Sequence, residues 1–133
     1  MTSRYAEVYQ SWKSDPEAFW AEAAKGIDWV EPWEKVFDPT SGPYGRWFAG
    51  AKMNTCFNAV DRHVANGRAE QTAIIYDSPV TGVKAKISYA ELKTRVQATA
   101  AALADAGVVA GDRVIVYMPM IPEAIVAMLA VAR

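Results

Sequence analysis

The stretch from Pro122 to Arg133 constrains the fold more than any other part of the sequence. From Ala124 to Ala132 it reads Ala-Ile-Val-Ala-Met-Leu-Ala-Val-Ala, with no polar residue. Pro122 suits a first helical turn, so a helix is expected over 122–133. A helix that is apolar on every side must be covered all round. The run before it, Arg113-Val-Ile-Val-Tyr-Met118, is continuously apolar after Arg113. That pattern predicts a strand buried on both faces with neighbours at both edges. Such a strand and helix belong inside a layered domain, and the other elements expected in the chain do not close one. The expectation is therefore an incomplete α/β domain, the front part of a longer protein.

The remaining elements fall into two regions. All five Trp and all four Phe lie at or before Phe57, and only Tyr76, Tyr89 and Tyr117 follow as aromatics. Residues 1–50 read as an aromatic-rich helical arm. Tyr5, Val8, Tyr9 and Trp12 share one helix face. Ser14 or Asp15 can cap a second helix with Pro16 in its first turn. Phe19, Trp20, Ala23 and Ala24 predict its buried stripe, and Gly26 its end. From Ile27 to Gly50 no period holds, and an irregular strap anchored by its aromatic rings is expected. Residues 51–133 read as the first strands and helices of the α/β domain. Cys56, Phe57, Val60 and Val64 predict a helix closing at Asn66-Gly67. Thr72–Tyr76 and Val83–Ile87 predict two strands, the second with Lys84 and Lys86 on a wet face. Ser78-Pro79 and Thr81-Gly82 supply the turn. Ser88 and Glu91 form a capping-box pattern. It opens a helix striped by Leu92, Val96, Ala100 and Leu103 and stopped by Gly107.

Composition excludes several functions. Fourteen basic residues against fifteen acidic ones give a net charge of -1, so there is no electrostatic case for nucleic acid or an anionic membrane. One Cys excludes a disulfide framework and suits a reducing, cytoplasmic setting. No apolar run reaches the roughly 18 residues of a membrane span. Met1 to Glu7 holds no signal-peptide core.

Candidate chemistry is sparse. Asn54, Asn58 and Asp61 lie at helical spacing with Arg62 and His63 beside them. They suit a ligand or metal face, or a cap at Asn54 with a hydrogen-bonded network. One His and one Asp fall short of the usual zinc set, which favours the network. His63 has no placed partner for acid–base work. Cys56 lies on an apolar stripe and reads as an inert thiol. Neither a dinucleotide fingerprint nor a P-loop occurs. Val108–Asp112 is a return loop. The Trp set reads as packing rather than a base- or sugar-stacking platform, because no basic groove accompanies it. No catalytic, cofactor-binding or metal-binding residue is assigned.

The ordered segments resemble a known family. Tyr9-Gln-Ser-Trp12, Pro16-Glu-Ala-Phe-Trp20 and Ile27-Asp-Trp29 are similar to the N-terminal extension of AMP-forming short-chain acyl-CoA synthetases. Asn54-Thr-Cys-Phe-Asn58-Ala-Val-Asp-Arg-His63 resembles the opening of their large domain. Ile87–Leu92, Gly111-Asp-Arg-Val114 and Tyr117-Met-Pro-Met-Ile-Pro-Glu-Ala124 resemble the stretch that follows. Within the family, Gly42-Pro-Tyr-Gly-Arg-Trp-Phe48 and Asn54-x-Cys56 look like the propionate–CoA ligases more than the acetate enzymes. The resemblance implies a carboxylate activated by Mg-ATP to an acyl-adenylate and then passed to CoA. The family's phosphate loop, adenine wall, hinge and catalytic Lys have no counterpart in this sequence. The resemblance therefore implies a scaffolding role, with ATP, Mg²⁺ and CoA bound by the remainder of the polypeptide. A stand-alone interaction module using its apolar helix is the rival reading.

Overall fold

A computed structural model describes residues 3–133, which divide into two compact units between Met53 and Asn54. In the first unit, α1 (Tyr5–Ser14) and α2 (Pro16–Ala23) are separated by Asp15. The Asp15 side chain accepts from the Ala18 amide at 2.9 Å, a one-residue cap between two helices. A 3-10 turn, Ala24–Gly26, finishes α2. The predicted stripe of α2 is only partly covered. Ala24 is buried, but Trp20 is 42% exposed. The aromatic face of α1 is exposed too, and its rings pack on one another, Tyr5 on Tyr9 at 5.9 Å and Tyr9 on Trp12 at 5.6 Å.

The expected irregular strap is more regular than its glycines and prolines suggest. It contains an antiparallel hairpin, β1 (Lys35–Asp38) and β2 (Arg46–Ala49), with Phe37 opposite Trp47. Their rings lie 4.7 Å apart, a cross-strand aromatic pair of the kind that stabilises two-stranded sheets. Breakers confined to the connection leave the strands free to pair, which a search for one period across the whole segment misses. Phe48 has φ +51°, a left-handed conformation that costs a side-chain-bearing residue about 1–2 kcal/mol. Its ring sits 5.5 Å from Trp29 and 5.3 Å from Trp33. Trp29 in turn donates its indole N–H to the Ala24 carbonyl at 2.9 Å.

The second unit starts with a helical segment over residues 55–68. Two of its stretches, Phe57–Asp61 and Val64–Arg68, take the wider π pitch. Gly67 at φ +80° breaks it beside Asn66, where the sequence predicts an end. A hairpin follows, β3 (Thr72–Asp77) and β4 (Lys84–Ser88), with Ile74 opposite Ile87. Ile87 points into the core while Lys84 and Lys86 face solvent. Ser88 caps α3 (Tyr89–Asp105) by accepting from the Glu91 amide. The Glu91 carboxylate pairs with Arg95 one turn on. At the far end, Val108 donates to Leu103 and Gly107 to Ala104, the paired bonds of a Schellman stop.

α4 (Pro122–Val131) packs on α3, and Val126, Leu129 and Ala130 join Cys56, Val60, Ile87, Leu92 and Val96 in one core. One expectation is corrected here. Residues 113–118 run without regular secondary structure and pair with no strand among the described residues, and Ile115 and Tyr117 are 89% and 98% exposed. A strand exists only through its ladder, and apolar composition alone does not make one. α4 is covered on one side only, with Met128 58% exposed, the open apolar surface expected of an incomplete domain.

Candidate functional site

Of the polar residues picked out by the sequence, Asn54 and Asp61 meet at Arg133, Asn58 bonds Asn54 and Arg62, and His63 lies against Tyr89. Asp61 is 7% exposed, the one buried charged residue among those described. Its partners arrive from two other places, the end of α4 and α3. The Arg133 guanidinium clamps it in bidentate fashion, Nη1 to Oδ2 at 2.8 Å and Nη2 to Oδ1 at 3.0 Å. The Lys93 ammonium on α3 lies 3.4 Å from Oδ1. Planar two-point pairing is the strong form of a carboxylate contact. The guanidinium donors hold the Asp61 carboxyl below the ordinary carboxylate range, against the opposing effect of burial. The same pairing pushes Arg133 further up.

Winding puts Asp61 in this position. Cys56 and Val60 both have no exposure, and both lie in the core. Asp61 is five residues from Cys56. The i→i+5 pairing of a π stretch brings such positions close together. The Arg133 Nη1 accordingly reaches Cys56 Sγ as well, at 3.5 Å. Burial raises the Cys56 thiol, so it stays protonated and unreactive.

The amides complete the network. Asn54 Oδ1 accepts from the Phe57 amide at 2.8 Å, which caps the segment, and Asn54 Nδ2 donates to the Arg133 carbonyl at 2.8 Å. The opposite amide orientation would set donor against donor. Asn58 Nδ2 donates to the Asn54 carbonyl and Asn58 Oδ1 accepts from Arg62. The His63 ring lies tilted against that of Tyr89, 4.9 Å between centroids. Of the two readings of this cluster, the cap-and-network one describes what is present. Arg133 and Lys93 are its unforeseen members. Their signal in the sequence was weak: one acid beside a fully apolar stripe requires a cation from somewhere, but spacing cannot say which.

No group of three or more His, Cys, Asp or Glu able to hold a metal occurs among the described residues. No helix among them is long and apolar enough to cross a membrane. The second unit also carries an open apolar cleft of about 490 Å³, between Ile74–Tyr76 of β3 and residues of 116–128 such as Val116, Met118 and Ile125. It has shape but no chemistry: no charged side chain lines it.

This arrangement has the fold of the first part of an acyl-CoA synthetase. A solved structure of acetoacetyl-CoA synthetase from Streptomyces lividans matches 92% of this chain, and 19% of its own, with TM-score 0.79 and 32% identity. Residues 5–59 match the family model of the acetyl-coenzyme A synthetase N-terminus, and residues 61–133 match that of the AMP-binding enzymes. The second match takes in more than half of the sequence, and the chain belongs to the AMP-binding enzyme family. Among curated proteins it is 51% identical over 120 residues to acyl-CoA synthetase short-chain family member 3, mitochondrial, of Rattus norvegicus, which is 90% of this chain and 18% of that protein. It is 49% identical over 127 residues to acetyl-coenzyme A synthetase of Mycolicibacterium smegmatis, 96% of this chain and 14% of that protein. The chain thus spans a fifth or less of the length of these relatives.

Proposed function

We propose that this chain is the N-terminal portion of an AMP-forming short-chain acyl-CoA synthetase, contributing scaffold rather than chemistry. The observation that carries the reading is the tandem order of the two family matches, 5–59 and then 61–133. Residues 1–50 are the extension in this reading, and 51–133 the start of the large adenylate-forming domain.

The reaction has two steps. A carboxylate oxygen attacks the α-phosphorus of ATP, and pyrophosphate leaves. The CoA thiol then attacks the acyl carbon, and AMP leaves with the oxygen it gained. Both steps need cationic stabilisation of phosphate oxygens, and the adenylate needs shelter from water. The cluster at Asp61 and the apolar cleft do not fit those roles. Arg133 and Lys93 are engaged by Asp61, and the apolar cleft offers no charged donor. ATP, Mg²⁺ and CoA are therefore assigned to the remainder of the polypeptide, the principal partner of this portion, and no step is routed through these residues.

Propionate is the acid we favour, on the Gly42–Phe48 and Asn54-x-Cys56 likeness. Acetate is the second reading, supported by the match to the Mycolicibacterium smegmatis acetyl-coenzyme A synthetase. The single thiol, free and buried, suits a reducing compartment, which we take to be the cytoplasm.

The test has two arms. The 133-residue chain, given propionate or acetate with ATP, Mg²⁺ and CoA, is expected to release no AMP above the protein-free blank. A protein of the relatives' length carrying these residues is expected to show acid-dependent ATP–pyrophosphate exchange, with higher kcat/KM for propionate. Turnover by the short chain would overturn the scaffold role. Absence of exchange in the long one would overturn the enzyme class, and an acetate preference would overturn the propionate assignment alone.

A further inference from the structure

We propose that Asp61 and Arg133 form a latch holding the C-terminal end of α4 against the π-wound segment, and that the π pitch is the device that sets it. Three observations lead there. First, the grip is double. Asp61 takes the Arg133 side chain, and Asn54 takes the Arg133 carbonyl. Asn54 thereby ties the start of one helix to the end of another. Second, α4 offers a place for a cation. Its last turn carries no basic residue of its own. Arg133, just past the end, lies at the negative pole of the helix dipole. Third, the geometry depends on winding. Regular α pitch would turn a residue five positions on from Cys56 away from it, and with it the carboxylate that meets Arg133. π stretches inside helices are frequent at functional sites.

Lys93 is not part of the latch. It reaches Asp61 from α3 and makes a single 3.4 Å contact. This separates a specific clamp on α4 from general neutralisation of a buried charge.

Amide hydrogen exchange of the full chain under native conditions reads the difference. Arg133→Gln and Asp61→Asn are each expected to speed exchange at Met128–Ala132 by about tenfold or more. The double variant is expected to be no faster than the worse single one, because both remove the same interaction. Lys93→Gln is expected to stay within about twofold of the parent at those amides. Asn54→Ala is expected to loosen the same turn. Additive effects of the two latch variants would overturn the proposal. So would Lys93→Gln loosening α4 as much as Arg133→Gln, or unchanged exchange in Arg133→Gln. Arg133→Lys, which keeps the charge but not the fork, covers the case in which Asp61→Asn fails to fold; it is expected to exchange faster than the parent, and parent-like exchange counts against a clamp.

Discussion

At Asp61 a single carboxylate joins three elements, and its titration is a stability statement. Its folded pKa is depressed, chiefly by hydrogen bonds from Arg133. A depressed acid contributes stability in full above its unfolded pKa, about 3.9. That contribution is lost as pH falls from there through the folded value. Asp61→Asn is therefore expected to lower stability of the second unit by about 2–3 kcal/mol at pH 7, measured by urea unfolding followed by far-UV circular dichroism. The gap between variant and parent is expected to narrow steadily below about pH 4. A gap that stays constant to pH 2 would show that the pair contributes nothing through charge. The residue scale was also where the sequence was hardest to read. Capping residues announce themselves locally, and Asp15, Asn54 and Ser88 all cap as their positions predict. Ion pairs between residues 72 apart leave no local trace, so Arg133 was invisible beforehand.

Elements with their own internal period were legible, and elements that depend on a partner were not. The alternation of Lys84 to Ile87 and the stripe of α3 reappear in the structure because each pattern carries its own burial instruction. The β1–β2 hairpin was missed because its strands have only four residues each, too short for a period to show against flanking glycines. The run 113–118 failed in the other direction: its composition says strand, but pairing is decided elsewhere. Amide exchange tests this directly. Amides of 114–117 are expected to exchange at least about a hundredfold faster than those of Ile74 and Tyr76, which are paired in register with Ile87 and Ala85. Comparable protection would mean that the run is paired in solution.

At the scale of the molecule, the second unit buries a core yet leaves a broad apolar surface open. Ile75, Ile115, Tyr117, Met120 and Met128 are all more than half exposed. Surfaces of that extent bind hydrophobic dyes and favour association. The chain is expected to enhance 8-anilinonaphthalene-1-sulfonate fluorescence at neutral pH, without denaturant. Leu129→Asp places a charge in the core and is expected to cost more than about 4 kcal/mol, enough to abolish the unfolding transition. Met128→Asp, on the open side of the same helix, is expected to fold and to lower dye binding. If both variants behave alike, α4 is not packed as described.

The early clustering of the aromatics has one more consequence. Every Trp lies within Met1–Met53, and Asn54–Arg133 holds none. Indole emission is therefore a built-in optical label for one unit. Excited at the red edge of the absorption band, the protein reports the environment of Trp12, Trp20, Trp29, Trp33 and Trp47, all in the first unit. A fluorescence melt and a dichroism melt of the same sample would follow different parts of the molecule, and the two curves need not coincide.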